Sequence, residues 1–431
     1  MHPLLINPPI REWALPNCVP LGLGYIASTL RDAGHSVEIL DINAHRYERE
    51  RVVRILEKKD PDAVFTGGII TVYNYLKWLT STVRETCGDI PVIIGGSVST
   101  SIPGIALSTL DADIACIGEG EITVPEVAAA LENGGDLAVV AGIWYKKDGR
   151  IFRNELRPPI RDMDSIPFPA YDLLPMEIYV NNPVGYINKD KWGSGERVSD
   201  RVPTSTNINV TRGCPYRCTF CYHDYLGPGY RHRSPENILA EMDLLHERYG
   251  VGYFLWADDE AIIDRRFIYD FCDLMGREKK EYEFSVAGRV NLVDEPLLTR
   301  LRDAGCTMVG YGIESGSQKI LDAMKKGVTV EQARNAVRLT QRIFGDADCS
   351  FMIGYPGETD ETIRETEEFC RDLGLAPEVI FFATAYPGTP LYEYAKDQGL
   401  ITDEVLLQKR QALIESLNAW NRTRHSLDER I

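Results

Sequence analysis

The sequence predicts an α/β protein in two parts: a doubly wound, Rossmann-like sheet at the N-terminus, then a partial (β/α)6 barrel and a short helical tail. Three observations predict it. Short apolar runs rich in β-branched residues alternate with helical stretches along most of the chain, the rhythm of parallel strands joined by crossover helices. That rhythm breaks between Arg157 and Arg201, where "DSIPFPAYDLLP" and the polar "NKDKWGSGERVSDR" read as connection. Strand-like runs also fall into two groups, five before the break and six after it.

In the first group, "LLIN", "SVEIL", "AVFTGG", "PVIIGG" and "IACIGEG" alternate with helical stretches such as Leu21 to Ala33 and Tyr75 to Thr86. "GIWYKKDGRIFRN" predicts a hairpin turning at Asp148 and Gly149. The second group is "NINVTRGC", "YFLWADD", "EFSVAGR", "MVGYGIES", "CSFMIGYPG" and "VIFFATAYPGT", each followed by an amphipathic segment. The helix after the first is marked by Ser234 as N-cap, Pro235 in the first turn, apolar Ile238, Leu239, Met242, Leu245 and Tyr249 on one face, and Gly250 as stop. Six such units place a site at the C-terminal ends of the strands. The expected divisions are 1–145 for the first sheet, 146–201 for hairpin and linker, 202–395 for the barrel and 396–431 for the tail. "LYEYAKDQGLI" and "DEVLLQKRQALIESLNAW" read as amphipathic helices.

With 431 residues, 44% hydrophobic, the chain can bury two or three cores. Its 47 basic against 64 acidic residues, net −17, argue against a broad grip on nucleic-acid phosphates and for a small molecule or peptide as substrate. "MHPLLINPPIREW" lacks a signal peptide's pattern and no window is apolar enough for a membrane span, so no membrane partner and a cytoplasmic location are expected. Ten cysteines in a reducing compartment are not a disulfide set. Seven of them, Cys18, Cys87, Cys116, Cys272, Cys306, Cys349 and Cys370, lie in apolar contexts and read as small buried hydrophobes.

The other three, Cys214, Cys218 and Cys221, fall in "TRGCPYRCTFCYH" directly after the first barrel strand. Their CxxxCxxC spacing lets one loop wrap three thiolates around one metal centre. A structural zinc would need a fourth ligand, for which His223 and His232 are near enough in sequence. A four-iron cluster on three thiolates leaves one iron open to a substrate's nitrogen and carboxylate. Both readings stand on the spacing alone.

The surrounding segments favour the second, because together they resemble the radical S-adenosylmethionine (SAM) enzymes over Asn207 to Pro390. Phe220 is the aromatic before the last cysteine, and "WADDE" resembles the segment that meets the amino group of SAM. There Asp258 and Asp259 replace the usual Gly-Gly-Glu, an acidic pair similar to that of cobalamin-dependent members. "AGRVN" puts Arg289 where ribose or carboxylate contacts are made, "GYGIESGS" offers Gly312, Glu314 and Ser315, and "MIGYPGET" resembles the adenine loop with Gly354 and Pro356. The resemblance implies a [4Fe-4S] cluster on Cys214, Cys218 and Cys221, SAM held by these residues with Tyr222, and an external electron donor of the flavodoxin or ferredoxin type. Tyr222 and His223 are candidates for proton transfer. Each residue also has a structural reading: Asp258 and Asp259 as helix caps, Arg289 in an ion pair, the glycines in turns, Tyr222 and His223 as loop side chains.

The first half, with "NPP", "PLGLGYIASTLRDAGHSVEILD", "TGG", "IIGGS" and "IGEGE" in order, resembles the cobalamin-binding domain that precedes the barrel in one radical SAM class. That resemblance assigns cobalamin to Pro20, Leu21 and Gly22, to Thr66, Gly67, Gly68, Val72 and Tyr73, to Gly95, Gly96 and Ser97, and to Gly118, Glu119 and Gly120. Glycines after strands three to five sit where an open α/β sheet binds ligands. The histidine motif DxHxxG is absent, since His45 follows Asp41 at another spacing, so cobalt is expected without a histidine ligand. Tyr73 is the nearest alternative donor, or the first residue of a helix that buries Leu76 and Leu79.

The class implies C-methylation of an unactivated carbon through a 5′-deoxyadenosyl radical and methylcobalamin. A radical cyclase or ring-rearranging enzyme would use the same motifs. The methylthiotransferases, with three extra cysteines before the barrel, are a rival, as is a non-catalytic iron–sulfur or cobalamin sensor; the contexts of Cys18, Cys87 and Cys116 disfavour the first and the full run of motifs the second. Substrate is expected among the barrel loops, the Asn181 to Arg201 linker and the tail.

Overall fold

The computed structural model describes residues 1–10, 16–182, 204–222, 229–375 and 380–401. His223, most of the Asn181 to Arg201 linker and the "DEVLLQKRQALIESLNAW" stretch therefore lie outside the described residues. The chain divides into two compact units, one drawn from 1–15, 30–157 and 385–431, the other from 16–29 and 158–384.

The first unit holds a seven-stranded sheet: β1 (Pro3–Asn7), β2 (Glu38–Asp41), β3 (Ala63–Gly67), β4 (Val92–Gly95), β5 (Ile114–Cys116), β6 (Ile143–Lys147) and β7 (Arg150–Arg153), in the order β2-β1-β3-β4-β5-β6-β7. The first five are parallel. All five residues of β1 are buried, as a central strand covered on both faces must be. The helix Tyr73–Cys87 lays Leu76, Leu79 and Val83 on the sheet and stops at Gly88. The hairpin, expected as part of the linker, is instead hydrogen-bonded antiparallel onto β5 and completes this sheet. Asp148 and Gly149 both take positive φ, 50° and 71°, as a two-residue turn of this hand requires. Strand order reverses between β1 and β3, the switch point at which such sheets leave an open crevice.

The second unit holds β8 (Thr204–Ile208), a two-stranded ribbon of β9 (Thr211–Arg212) and β10 (Arg231–His232), then β11 (Val251–Trp256), β12 (Glu283–Gly288), β13 (Cys306–Glu314), β14 (Asp348–Ile353) and β15 (Ile380–Phe382). Six of these form a parallel sheet in the order β15-β14-β13-β12-β11-β8, which is the predicted half-barrel. Its odd-numbered β13 residues Val309, Tyr311 and Ile313 are buried; Tyr311 meets Thr340 of the outer helix Val330–Phe344 at 2.8 Å. By the two-residue pleat Gly310 and Gly312 then face inward. The helix Pro235–Tyr249 begins and ends as predicted, with Ser234 Oγ accepting from Asn237 N and Gly250 in the left-handed conformation. It also buries Glu241, which the apolar pattern hid: Glu241 pairs with Arg233 and accepts from Tyr171 Oη at 2.7 Å. Among the described residues no helix is long and apolar enough to cross a membrane. Five of the seven scattered cysteines are buried, whereas Cys18 is exposed and Cys87 half-buried.

Candidate functional site

The cysteine loop follows β9 at the C-terminal end of the barrel sheet. It is anchored from two sides. Asp258, at the end of β11, accepts through Oδ1 from Asn209 Nδ2, Val210 N and Thr211 N at 2.9–3.0 Å, fixing the turn that feeds the loop. Within the motif, Thr219 gives its backbone N–H to Met324 O at 2.9 Å and its hydroxyl to the same oxygen at 3.1 Å.

Of the three thiols, those of Cys218 and Cys221 are hydrogen-bonded to each other. Cys218 is drawn down to about 5, first by that bond, against burial, and then by Lys326 and Arg289. Cys221 is pushed up by the same bond and by burial, and Cys214 rises chiefly through burial. Among the described residues no three donors converge on a single ion. A cluster spreads its irons, so its ligands need only share one loop. His232 is committed elsewhere: its Nδ1 meets Arg233 O at 2.9 Å and its ring stacks on Phe267 at 4.3 Å.

Charged side chains surround this loop at low exposure. Glu314 ends β13 at φ 69°, a conformation a non-glycine residue holds only where its surroundings fix it, and pairs with Lys326 at 2.9 Å. Both are nearly buried, at 7% and 8% exposure. A Cβ at Gly312 would sit 3.2 Å from Lys326 Nζ, against the Glu314 carboxylate as well, so the glycine keeps that space open. Lys326 Nζ also lies 5.7 Å above the Phe220 ring. Arg289 reaches Cys218 Sγ at 3.7 Å, donates to Lys326 O and stacks on Tyr216 at 3.7 Å, while its buried Nε has no partner among the described residues. Among the described residues it makes no carboxylate pair, and it reaches the Cys218 thiol instead. Glu260, 4% exposed, is pushed up to about 7 by burial, with Arg289 and Lys326 pulling back. Asp258 is pushed up to about 7 by burial despite its backbone bonds, and its Oδ2 is buried without a partner among the described residues. The helix that follows is capped by Asp264, not by Asp258 or Asp259.

Phe220, Arg289 and Glu314 are thus brought together with Cys218. Tyr222 follows Cys221 directly and is half-buried. Ser315 turns away: its hydroxyl meets Thr366 Oγ1 at 3.2 Å and accepts from Ser317 N. Gly354, at φ 83°, and Pro356 lie in the loop after β14, where the Gly354 N–H meets the Glu358 carboxylate. Lys326, Glu260, Thr219 and Tyr355 went unread; Lys326 in "MKKGVT" carries no pattern that sets it apart from its neighbour. The set suits the proposed ligands: three thiols for a cluster, cations for a carboxylate, and buried carboxyls for an amino group.

In the first unit, Gly67, Gly68 and Gly96 lie at the C-terminal ends of β3 and β4 with positive φ. A Cβ on Gly96 would fall 2.7 Å from Gly68 O, so this edge is backbone against backbone. Thr66 is tied to Ile6 O at 2.9 Å and Ser97 accepts from Ile70 N at 3.1 Å. Gly118 N donates to Thr100 at 3.0 Å, and Gly120 O accepts from Val124 N. Glu119 between them is half-buried. Val72 and Tyr73 sit in the core; Tyr73 opens the helix Tyr73–Cys87 and its hydroxyl bonds Thr109. Pro20, Leu21 and Gly22 head the helix Leu21–Asp32 and belong to the second unit, not to the one with these glycines. The same sheet edge exposes three isoleucines that sequence reading passed over: Ile10 after β1, Ile69 after β3 and Ile122 after β5, each 44–49% exposed. Cys116 is buried in β5, its thiol pushed up to about 12 by burial, and Cys87 Sγ points to Leu56 O.

Comparison with known proteins finds relatives of both halves of the chain. The family model of the radical SAM superfamily matches residues 208–370, and that of the B12 binding domain matches residues 14–128. An uncharacterised methyltransferase of Pyrococcus horikoshii is 31% identical over all of this chain and 90% of its own length. The anaerobic magnesium-protoporphyrin IX monomethyl ester cyclase of Rubrivivax gelatinosus is 28% identical over 90% of this chain and 68% of its length. Among solved structures, the radical S-adenosylmethionine methyltransferase TsrM of Kitasatospora setae, with cobalamin and a [4Fe-4S] cluster bound, shares the fold. Its TM-score is 0.75 at 20% identity, over 92% of this chain and 78% of that one.

Proposed function

Because the chain belongs to the radical SAM superfamily and carries a B12-binding domain ahead of its radical SAM domain, we propose that it is a C-methyltransferase acting on an unactivated carbon. Its cofactors are a [4Fe-4S] cluster, SAM and cobalamin. When bound, the cluster and SAM supply reductive cleavage and hydrogen-atom abstraction, and cobalamin supplies methyl transfer. The observation that carries the reading is the buried Glu314–Lys326 pair with Arg289 beside the cysteine loop, in a chain matched end to end by a methyltransferase.

Cys214, Cys218 and Cys221 ligate the cluster in this proposal. Arg289 and Lys326 orient the carboxylate of SAM, since both are buried cations beside the thiols. Glu314, Glu260 and Asp258 take its amino group, Phe220 and the Gly354–Pro356 loop its nucleoside end. The glycines after β3 and β4 would hold cobalamin, with Ile10, Ile69 and Ile122 as apolar contacts. The reductant is an external flavodoxin or ferredoxin type of protein, the substrate a small molecule or peptide, and the setting the reducing cytoplasm.

The cyclase relative keeps ring formation as a second reading. SAM carrying a labelled methyl group separates the two without the substrate. Under anaerobic reduction, transfer of the label to bound cobalamin is expected of the methyltransferase; release of 5′-deoxyadenosine with no label on cobalamin would favour the cyclase.

A further inference from the structure

Tyr355 lies in the loop after β14, is 7% exposed, and reaches the inside of the cysteine motif. Its hydroxyl is 2.6 Å from Thr219 Oγ1 and 3.3 Å from Ala323 O. Thr219 stands between Cys218 and Cys221 and is itself bonded twice to Met324 O, through N–H at 2.9 Å and hydroxyl at 3.1 Å. Two hydroxyl protons serve three contacts. The consistent assignment spends the Thr219 proton on Met324 O and the Tyr355 proton on Thr219, which leaves Ala323 O as a long secondary acceptor. The cysteine loop is therefore held from below by Met324 whatever Tyr355 does, and the phenol adds one link, to the loop after β14.

We propose that Tyr355 is a positioning residue that sets the cysteine loop against the loop after β14, so that the cluster ligands and the nucleoside site of SAM hold a fixed separation. A phenol is well suited to this. The ring fills buried space whether or not the hydroxyl bonds, and the hydroxyl alone carries the directional contact. Burial keeps water from replacing a lost partner, so the link is stronger than an exposed one. Thr219 acts in the same chain of contacts. The inference rests on Cys214, Cys218 and Cys221 being the cluster ligands.

The test uses the full chain, reconstituted anaerobically with iron, sulfide and cobalamin. Tyr355→Phe, Thr219→Val, the double variant and Thr219→Ser are compared by iron content, SAM affinity and electron paramagnetic resonance of the reduced cluster with and without SAM. Expected are wild-type iron in all, SAM binding weakened about tenfold in Tyr355→Phe and at least as much in Thr219→Val, which also loses its hydroxyl bond to Met324 O, with no loss in the double beyond that of Thr219→Val. The change that SAM causes in the cluster spectrum should shrink in step, and Thr219→Ser should restore both. Wild-type SAM affinity and spectra in Tyr355→Phe at full iron content would overturn the proposal, as would losses that simply add in the double variant. If Tyr355→Phe folds poorly, Tyr355→Met, which fills much of the same space without a hydroxyl, takes its place in the same comparison. A wild-type chain that takes up no iron would overturn the cluster reading first, and the positioning role with it.

Discussion

The C-terminal edges of the two parallel sheets are furnished in opposite ways. At the barrel edge stand thiols, a buried Glu314–Lys326 pair, Arg289 and two carboxyls raised to about 7. At the edge of the first sheet stand Gly67, Gly68 and Gly96 with exposed Ile10, Ile69 and Ile122, and the polar Thr66 and Ser97 are turned into internal bonds. One fold logic, ligands at strand ends, thus serves two chemistries. Charged groups at low exposure suit a small polar ligand whose every end needs a partner. Bare backbone and isolated apolar side chains suit a broad, flat one gripped by area.

The largest effect should come from emptying the barrel edge. Replacing Cys214, Cys218 and Cys221 together with Ala is expected to abolish iron–sulfur absorbance and SAM cleavage, while cobalamin still binds the first unit. Iron assay and cobalamin absorbance read the two sites separately. A triple variant with four irons per chain would dissolve the contrast between the edges.

Next in size is the buried pair. Lys326→Met leaves Glu314 as a buried carboxylate without its cation, at a cost of about 3–5 kcal/mol in stability. SAM binding should fall with it while the first unit's affinity for cobalamin holds. Glu314→Gln together with Lys326→Met should recover much of the stability, and denaturant midpoints of the two variants check this. Equal midpoints for single and double variants would mean that the pair is solvated.

How far this could be read beforehand differs between the two edges. All eleven strand runs and the hairpin were legible, because parallel strands buried on both faces write continuous apolar runs into the chain. The cysteine loop was legible from spacing. Lys326 was not, since its role depends on the turn after the helix Gln318–Ala323 passing under the cysteine loop, a contact between residues about a hundred positions apart in sequence. Tyr73 could not be settled from sequence either: it lies a few residues after a glycine turn, and only the structure shows that it opens a helix with its side chain in the core. Ile10 did leave a signal, an apolar residue alone in "NPPIREW", but a single exposed isoleucine is ordinary until two others share its edge.

That shared edge yields a smaller prediction. Ile69→Ser with Ile122→Ser removes apolar area from exposed positions, so the folded state should lose little stability. Cobalamin affinity should drop about tenfold or more, from two side chains' worth of lost burial, while iron content and SAM binding stay as they are. Titration of cobalamin into the iron-loaded double variant checks it. Unchanged affinity would place the flat ligand away from these isoleucines.

The smallest expected effect is a pH dependence that belongs to the barrel edge alone. Glu260 is raised from 4.5 to about 7 and Asp258 from 3.8 to about 7, in both cases first by burial. A carboxyl whose folded value lies above its unfolded value keeps a proton in the folded chain that the unfolded chain has already released. Stability from these groups is therefore full below about pH 4, declines as pH rises toward 7, and is flat beyond it. This is opposite in sign to Asp294, whose carboxyl is held down first by its bond from Arg265 and loses stability toward acid. Glu260→Gln removes one of the two descending contributions and leaves Asp294 in place. The urea midpoint of the cofactor-free variant, compared with wild type between about pH 5 and 7.5, should fall less steeply with pH, the two curves converging at the acid end if the amide packs as the protonated acid does. Parallel curves across that range would mean that Glu260 is ionised throughout, held by Arg289 and Lys326 more strongly than burial opposes it.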